Sequence, residues 1–295
     1  MSHDHQEVDL GLIAGVTDRG LRHRQNEDAM ELAVVPAADG PVLVAVVCDG
    51  VSTSIRPAEA SLAAAQAAAE VLRAAAQDGT DLTEASSAAV RSAEAAVASL
   101  AKTPGGAGSA TFVSAVVTGS AATLCWLGDS RAYWLGAPVT PASEAAVPGS
   151  PVPESPTLES AVPGSPAAGS PAPETAHRLT RDDSLAEEMV AAGLLPEDEA
   201  LTSPHAHVVT RWVGADPGEA TPHVVTFEPP GPGVLMLCSD GLWNYQPDAA
   251  KLAGLALPSA LTDPLGAAQA LVTFAIEAGG RDNITVVLAP FPPGT

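Results

Sequence analysis

Positive charge is scarce in this chain. Thirteen Lys and Arg stand against 35 Asp and Glu, a formal charge of −22 over 295 residues. Nucleic acids and anionic membrane surfaces are recognised through a basic footprint, so neither is expected as a partner. The same charge suits a protein that collects cations. Cysteine is also sparse: Cys48, Cys125 and Cys238 are odd in number and lack C-x-x-C spacing. That argues against a disulfide framework or a zinc finger and reads the three as buried small hydrophobes in a reducing compartment. No run reaches the ~18 consecutive apolar residues of a membrane span. The segment with His3, Asp4, His5, Glu7 and Asp9 has neither the basic start nor the apolar core of a signal peptide. A soluble, cytoplasmic chain is expected. Several catalytic signatures are missing too. The loop Pro104 to Ser109 has no G-x-G-x-x-G register and no following Lys-Ser or Lys-Thr, so it reads as a turn and not as a phosphate loop. No D-x-D closes an apolar strand, which disfavours a phospho-aspartate, and no G-x-S-x-G elbow offers a serine nucleophile.

What the chain does contain is a repeated pairing of apolar strand and acid. Val42 to Cys48 is an unbroken apolar run ending on Asp49-Gly50, Val234 to Ser239 leads into Asp240-Gly241, and Ala122 to Leu127 leads into Gly128-Asp129. Glu27-Asp28 precedes one further strand and Asp282-Asn283 another, Ile284 to Leu288. Runs rich in β-branched residues suit strands buried on both faces, with the carboxylates at their ends. Carboxylates repel and are costly to bury, so convergence of these ends requires cations between them. Oxygen ligands from Asp and glycine carbonyls favour Mg²⁺ or Mn²⁺ over zinc. His205 and His207 are read as solvated loop residues in preference to a chelating pair.

Residues 1–10 read as a flexible tail and 11–292 as one domain. Within it, Leu12 to Thr17 and Ala29 to Val35 read as strands, Ala58 to Gln77 as a helix from Pro57 capped by Ser52 or Ser54, and Asp81-Leu82-Thr83-Glu84 as the capping box of a second helix. Residues 137–176 hold repeated Val-Pro-Gly-Ser-Pro and no aromatic, Lys or Arg between 137 and 176. Such composition cannot offset its chain entropy, so the segment is expected to be a disordered insertion in a hairpin loop. Ser184 to Gly193 reads as a short helix, Leu194 to His207 as a mobile acidic loop, and Asp263-Pro264 as the start of the last helix. Grouped strands and grouped helices point to an α+β fold.

Seven motifs in order carry a resemblance. Thr17-Asp18-Arg19-Gly20 to Asn26-Glu27-Asp28, Cys48-Asp49-Gly50, Gly108-Ser109-Ala110-Thr111, Gly128-Asp129-Ser130-Arg131-Ala132-Tyr133, Leu179-Thr180-Arg181-Asp182, Cys238-Ser239-Asp240-Gly241-Leu242 and Arg281-Asp282-Asn283-Ile284-Thr285 are similar to the ordered motifs of the PP2C (PPM) metal-dependent serine/threonine protein phosphatases of bacterial type. The resemblance implies a four-layer αββα sandwich of two mostly antiparallel sheets flanked by helices. It implies Asp28, Asp49, Asp240 and Asp282 as ligands of two Mn²⁺ or Mg²⁺ ions, with the Gly50 carbonyl. It also implies Glu27 as a holder of water on the metals, Asp129 at a third, weaker ion, and Ser184 to His207 as a substrate-contacting flap.

The expected reaction is attack of a metal-activated water on phosphoserine or phosphothreonine of a protein substrate, without a covalent intermediate. Two departures stand out. His23 occupies the place of the phosphate-clamping arginine, with Arg22 and Arg24 beside it. Val51-Ser52-Thr53 follow the Asp-Gly, which excludes proton donation from a side chain at 51. The alternative is a catalytically weak regulatory module that binds a phosphorylated partner. The chain is expected to be a monomer.

Overall fold

The computed structural model describes residues 4–101, 106–137, 176–214 and 221–292. The chain opens with strands β1 (His5–Asp9), β2 (Ala14–Asp18), β3 (Asp28–Val35) and β4 (Val42–Asp49). Helices α1 (Pro57–Asp78) and α2 (Leu82–Ser99) follow, then β5 (Ser109–Ala110), β6 (Phe112–Val117), β7 (Ala122–Leu127), β8 (Arg131–Gly136) and β9 (Ala176–Arg178). Next come α3 (Leu185–Ala191), a 3-10 helix over Glu197–Thr202, β10 (Val213–Gly214), β11 (His223–Phe227) and β12 (Gly233–Cys238). The chain closes with α4 (Asp240–Trp243), α5 (Ala249–Ala260), α6 (Pro264–Glu277) and β13 (Ile284–Phe291).

Two antiparallel sheets form the centre, in the orders β1-β2-β13-β12-β8-β9 and β11-β7-β6-β4-β3. Alternation along buried strands sorts their side chains between two interfaces. In β4, Leu43, Ala45 and Val47 join Trp134, Leu235, Leu237 and Val287 in the core between the sheets. Val44, Val46 and Cys48 face the other way, onto Ala60, Ala64, Ala68 and Leu72 of α1. The first sheet does the same: Val286 and Leu288 pack on Leu271 and Ala275 of α6, while Val287 and Ala289 enter the shared core. Alanine adds little buried area but lets a helix lie close to its sheet, and the expected αββα layering results.

Side-chain caps start four helices. Asp81 accepts from the Glu84 N–H at 2.8 Å, as the capping spacing predicts, and Ser184, Asp248 and Asp263 act likewise on α3, α5 and α6. Helix α1 departs from expectation, because neither Ser52 nor Ser54 caps it. Arg56 stands at the N-cap position without a side-chain cap, in a left-handed backbone (φ 54°, ψ 57°), its guanidinium donating to Glu59 at 2.8 Å and to the Leu100 carbonyl. Such a conformation is strained for an arginine and is held by these contacts. Ser52 and Ser54 are used elsewhere, on Glu27 Oε2 and the Ser109 N–H.

Three further expectations need correction. Residues 1–10 are not all tail: β1 pairs with β2 from His5 opposite Asp18 to Asp9 opposite Ala14, and His5 Nδ1 lies 2.8 Å from Asp18 Oδ2. The 194–207 loop contains an ordered 3-10 turn, whose Ala200 is buried. Strand β11 and helix α5 had no counterpart in the sequence reading. Apart from its end residues Ala137 and Ala176, the insertion lies outside the described residues.

Candidate metal centre

Antiparallel pairing brings alternate strand ends to one edge of the sandwich. Asp28, first in β3, stands opposite Asp49, last in β4. Strand β12 leaves the other sheet at Cys238 and delivers Asp240 through Ser239, while β13 enters that sheet just after Asp282-Asn283. Asp129 sits in the β7–β8 turn with 4% of its surface exposed. Ligand atoms of Asp129, Asp240 and His207 all lie within 4.8 Å of one another.

The surrounding hydrogen bonds fix these carboxylates without saturating them. Asp28 Oδ2 accepts from the Ser239 hydroxyl and the Thr285 hydroxyl, both at 2.7 Å, which staples one sheet to the other. Asp240 Oδ2 accepts from the Asn244 amide at 3.1 Å. The remaining oxygens, Asp28 Oδ1 and Asp240 Oδ1, are buried and have no hydrogen-bond partner among the described residues. A buried carboxylate oxygen without a donor is costly unless a cation meets it, so the donor set fits a hard divalent ion. Backbone approach matters as well. A side chain at Gly50 would run into the Pro57 and Glu27 carbonyls, and one at Gly241 into the Asn283 carbonyl. Asn283 ties the loop before β3 in place: its Oδ1 accepts the Glu27 N–H at 2.7 Å and its amide donates to the Arg19 and Gln25 carbonyls.

Electrostatics carries the same message. Loss of solvent, and after it the charge of Asp282, pushes the Asp28 carboxyl up to about 6 despite the two hydroxyl donors. Asp129 is pushed up to about 7, by burial first and then by Asp182. Asp49 and Asp240 are raised well above the usual carboxylate range, by burial and then by the surrounding acids. Without cations these groups resist ionisation together.

Glu27 and Asp282 lie at the rim. Glu27 Oε2 accepts from Ser52 Oγ at 2.6 Å. His23 sits between the two acids, with Nε2 3.1 Å from Asp282 Oδ1 and Nδ1 3.9 Å from Glu27 Oε2. Arg22 and Arg24 are exposed and share with His23, Gln25 and Glu27 a surface recess of about 500 Å³. A second cleft, about 340 Å³, is lined by Leu201, His207, Trp243, Asn244, Arg281 and Asp282 among others.

His207 is an exposed loop residue, as the sequence suggests, and Trp243 is a neighbour that the sequence reading does not single out. His207 is exposed, yet its ring stacks on Trp243 with centroids 5.7 Å apart and joins the acidic cluster; His205 does not join it. The Trp243 indole donates to the Asp129 carbonyl at 2.9 Å and lies 3.6 Å from the buried Arg131 guanidinium, which in turn forks onto Asp182. The Leu242-Trp243 pair directly after Asp240-Gly241 was the available signal.

No family model matches the chain. It is 36% identical over 118 residues to the protein phosphatase PhpP of Streptococcus pneumoniae, a match covering 39% of this chain and 45% of PhpP. The matched stretch thus spans about half the length of that curated relative. The PPM Ser-Thr phosphatase MsPP of Mycobacterium smegmatis, solved with cacodylate, superposes with a TM-score of 0.63 at 26% identity, covering 94% of this chain and 96% of MsPP. The catalytic domain of the serine/threonine protein phosphatase PstP, solved with two manganese ions, gives a TM-score of 0.63 at 23% identity, covering 94% and 96%. In fold and in its ordered acidic motifs the chain is thus similar to the bacterial PP2C-type (PPM) serine/threonine phosphatases.

Proposed function

We propose that this chain hydrolyses phosphoserine and phosphothreonine in proteins with the help of divalent metal ions. The observation that carries the reading is the gathering of Asp28, Asp49, Asp129 and Asp240 at one strand edge, with two sealed carboxylate oxygens that have no donor among the described residues. Asp28, Asp49, Asp240, Asp282 and the Gly50 carbonyl would hold two ions, and Asp129 a third. The manganese in the PstP structure supports Mn²⁺ as one such ion. Bound ions of this kind lower the pKa of water and neutralise phosphoryl oxygens.

The chain's own residues do the rest. Ser239 and Thr285 hold one oxygen of Asp28 and leave the other free for a ligand. Asn283 and Ser52 fix Glu27 beside the centre, and His23 with Arg22 and Arg24 forms the recess that meets the substrate phosphate. The cysteines do not compete with water as nucleophiles: Cys48, Cys125 and Cys238 are buried, and burial pushes the Cys125 thiol up to about 12. A module that only binds a phosphorylated partner has no need of this ligand set, so the regulatory alternative is not favoured. The protein substrate is the expected partner. No described helix is long and apolar enough to cross a membrane.

The test is phosphate release from a phosphoserine peptide with Mn²⁺, with Mg²⁺ and with chelator. Asp240→Asn and Asp49→Asn should each lose ~10²-fold or more of the metal-dependent rate while melting like the parent. Parental turnover in both variants, with unchanged metal uptake by calorimetry, would sink the proposal.

A further inference from the structure

The Asp129–Asp240 edge has a feature that the sequence motifs do not contain. His207 reaches it from the segment between α3 and β10, far along the chain from either acid, and sets a ring nitrogen within 4.8 Å of both carboxylates. Asp129 is buried and its carboxyl accepts a backbone hydrogen bond but none from a side chain among the described residues, and Asp240 Oδ1 is sealed and without a partner among them. Two carboxylates from the sheet ends and one imidazole from a loop thus come together at one point. Trp243 keeps the parts in register, since its ring stacks on His207 while its N–H holds the Asp129 carbonyl.

We propose that His207 is a nitrogen ligand to a cation held by Asp129 and Asp240, and that this site thereby takes Mn²⁺ in preference to Mg²⁺. The inference rests on the reading of the acids as a metal centre and adds to it both a ligand and a selectivity. Mg²⁺ demands oxygen ligands and gives up water reluctantly, whereas imidazole binds first-row transition metals. A site with one nitrogen among its protein ligands therefore discriminates where the all-oxygen set around Asp28 and Asp49 does not. The competing account is that His207 is a surface ring that merely stacks on Trp243.

Calorimetric and electron-paramagnetic titrations of the whole chain with Mn²⁺, and with Mg²⁺ in competition, separate the two accounts. His207 is exposed, so its variants should fold. His207→Ala and His207→Phe are both expected to weaken Mn²⁺ at the weakest site by ~10-fold, with Mg²⁺ little changed. Phenylalanine preserves the stacking and removes the nitrogen, which makes it the decisive variant. Parental Mn²⁺ affinity in His207→Phe overturns the proposal, as does an equal loss of Mn²⁺ and Mg²⁺ in both variants. Either result can occur with metal-dependent turnover intact, which leaves the functional reading standing. A chain that binds no Mn²⁺ at all overturns both.

Discussion

Asp28 faces Asp49 directly across the β3–β4 ladder, and both carboxylates enter the same enclosed strand edge. The pairing follows from strand register alone, yet it sets two like charges against each other. The Asp28 and Asp129 carboxyls, at about 6 and about 7, lie above their unfolded value. Between about pH 4 and pH 7 the folded chain therefore binds more protons than the unfolded one, and stability falls as pH rises through that window. Chelator-treated protein should melt ~5–10 °C lower at pH 7.5 than at pH 5.5. Mn²⁺ should close the gap, and Asp28→Asn should flatten the slope. Equal melting temperatures at the two pH values without metal would contradict the electrostatic account.

Arg131 is almost fully buried and pays for its desolvation with a fork onto Asp182 at 2.7–3.2 Å, a Tyr133 hydroxyl and the face of Trp243. Removing one member of such a pair leaves a buried charge. Arg131→Met should cost ~3–5 kcal/mol in urea unfolding, and the double variant Arg131→Met/Asp182→Leu should recover much of that loss.

At the recess, His23 contacts Asp282 and Glu27, whereas Arg22 and Arg24 point to solvent. His23→Ala should slow turnover of a phosphoserine peptide more than that of p-nitrophenyl phosphate, whose leaving group needs no proton. If His23→Ala keeps the parental rate while Arg22→Ala or Arg24→Ala raises KM, the phosphate clamp belongs to the arginines.

The insertion can be tested by removal. Strands β8 and β9 pair antiparallel with Leu135 opposite Ala176, so the two ends of the 137–176 segment leave from adjacent positions. Deleting 139–175 and closing with a short turn should leave the melting temperature and the rate on small substrates close to the parent's. A drop of ~10 °C or more, about 3 kcal/mol or above for a chain of this size, would mean that the segment packs on the domain.

Much of the fold and most of the candidate site could be read from the sequence because their signals are local. An apolar run ends, an acid follows, and antiparallel pairing then requires neighbouring ends to meet, which is why Asp28, Asp49, Asp129 and Asp240 were legible. The helices from Pro57, Leu82 and Pro264 were legible from composition and capping spacing. What escaped depends on partners distant in sequence. His5–Asp9 has no hydrophobic period and becomes a strand only because the free edge of β2 offers it hydrogen bonds. Arg56 can hold a left-handed backbone because Leu100, at the end of another helix, supplies a carbonyl. His207 looks like one more polar loop residue until Trp243, from a different element, gives its ring a surface and brings it to Asp129 and Asp240. Local pattern determined which strands carry acids to the edge. Long-range packing alone decided that an imidazole lies beside two of them, since a loop residue's position is set by the surface it lands on and not by its neighbours in the chain.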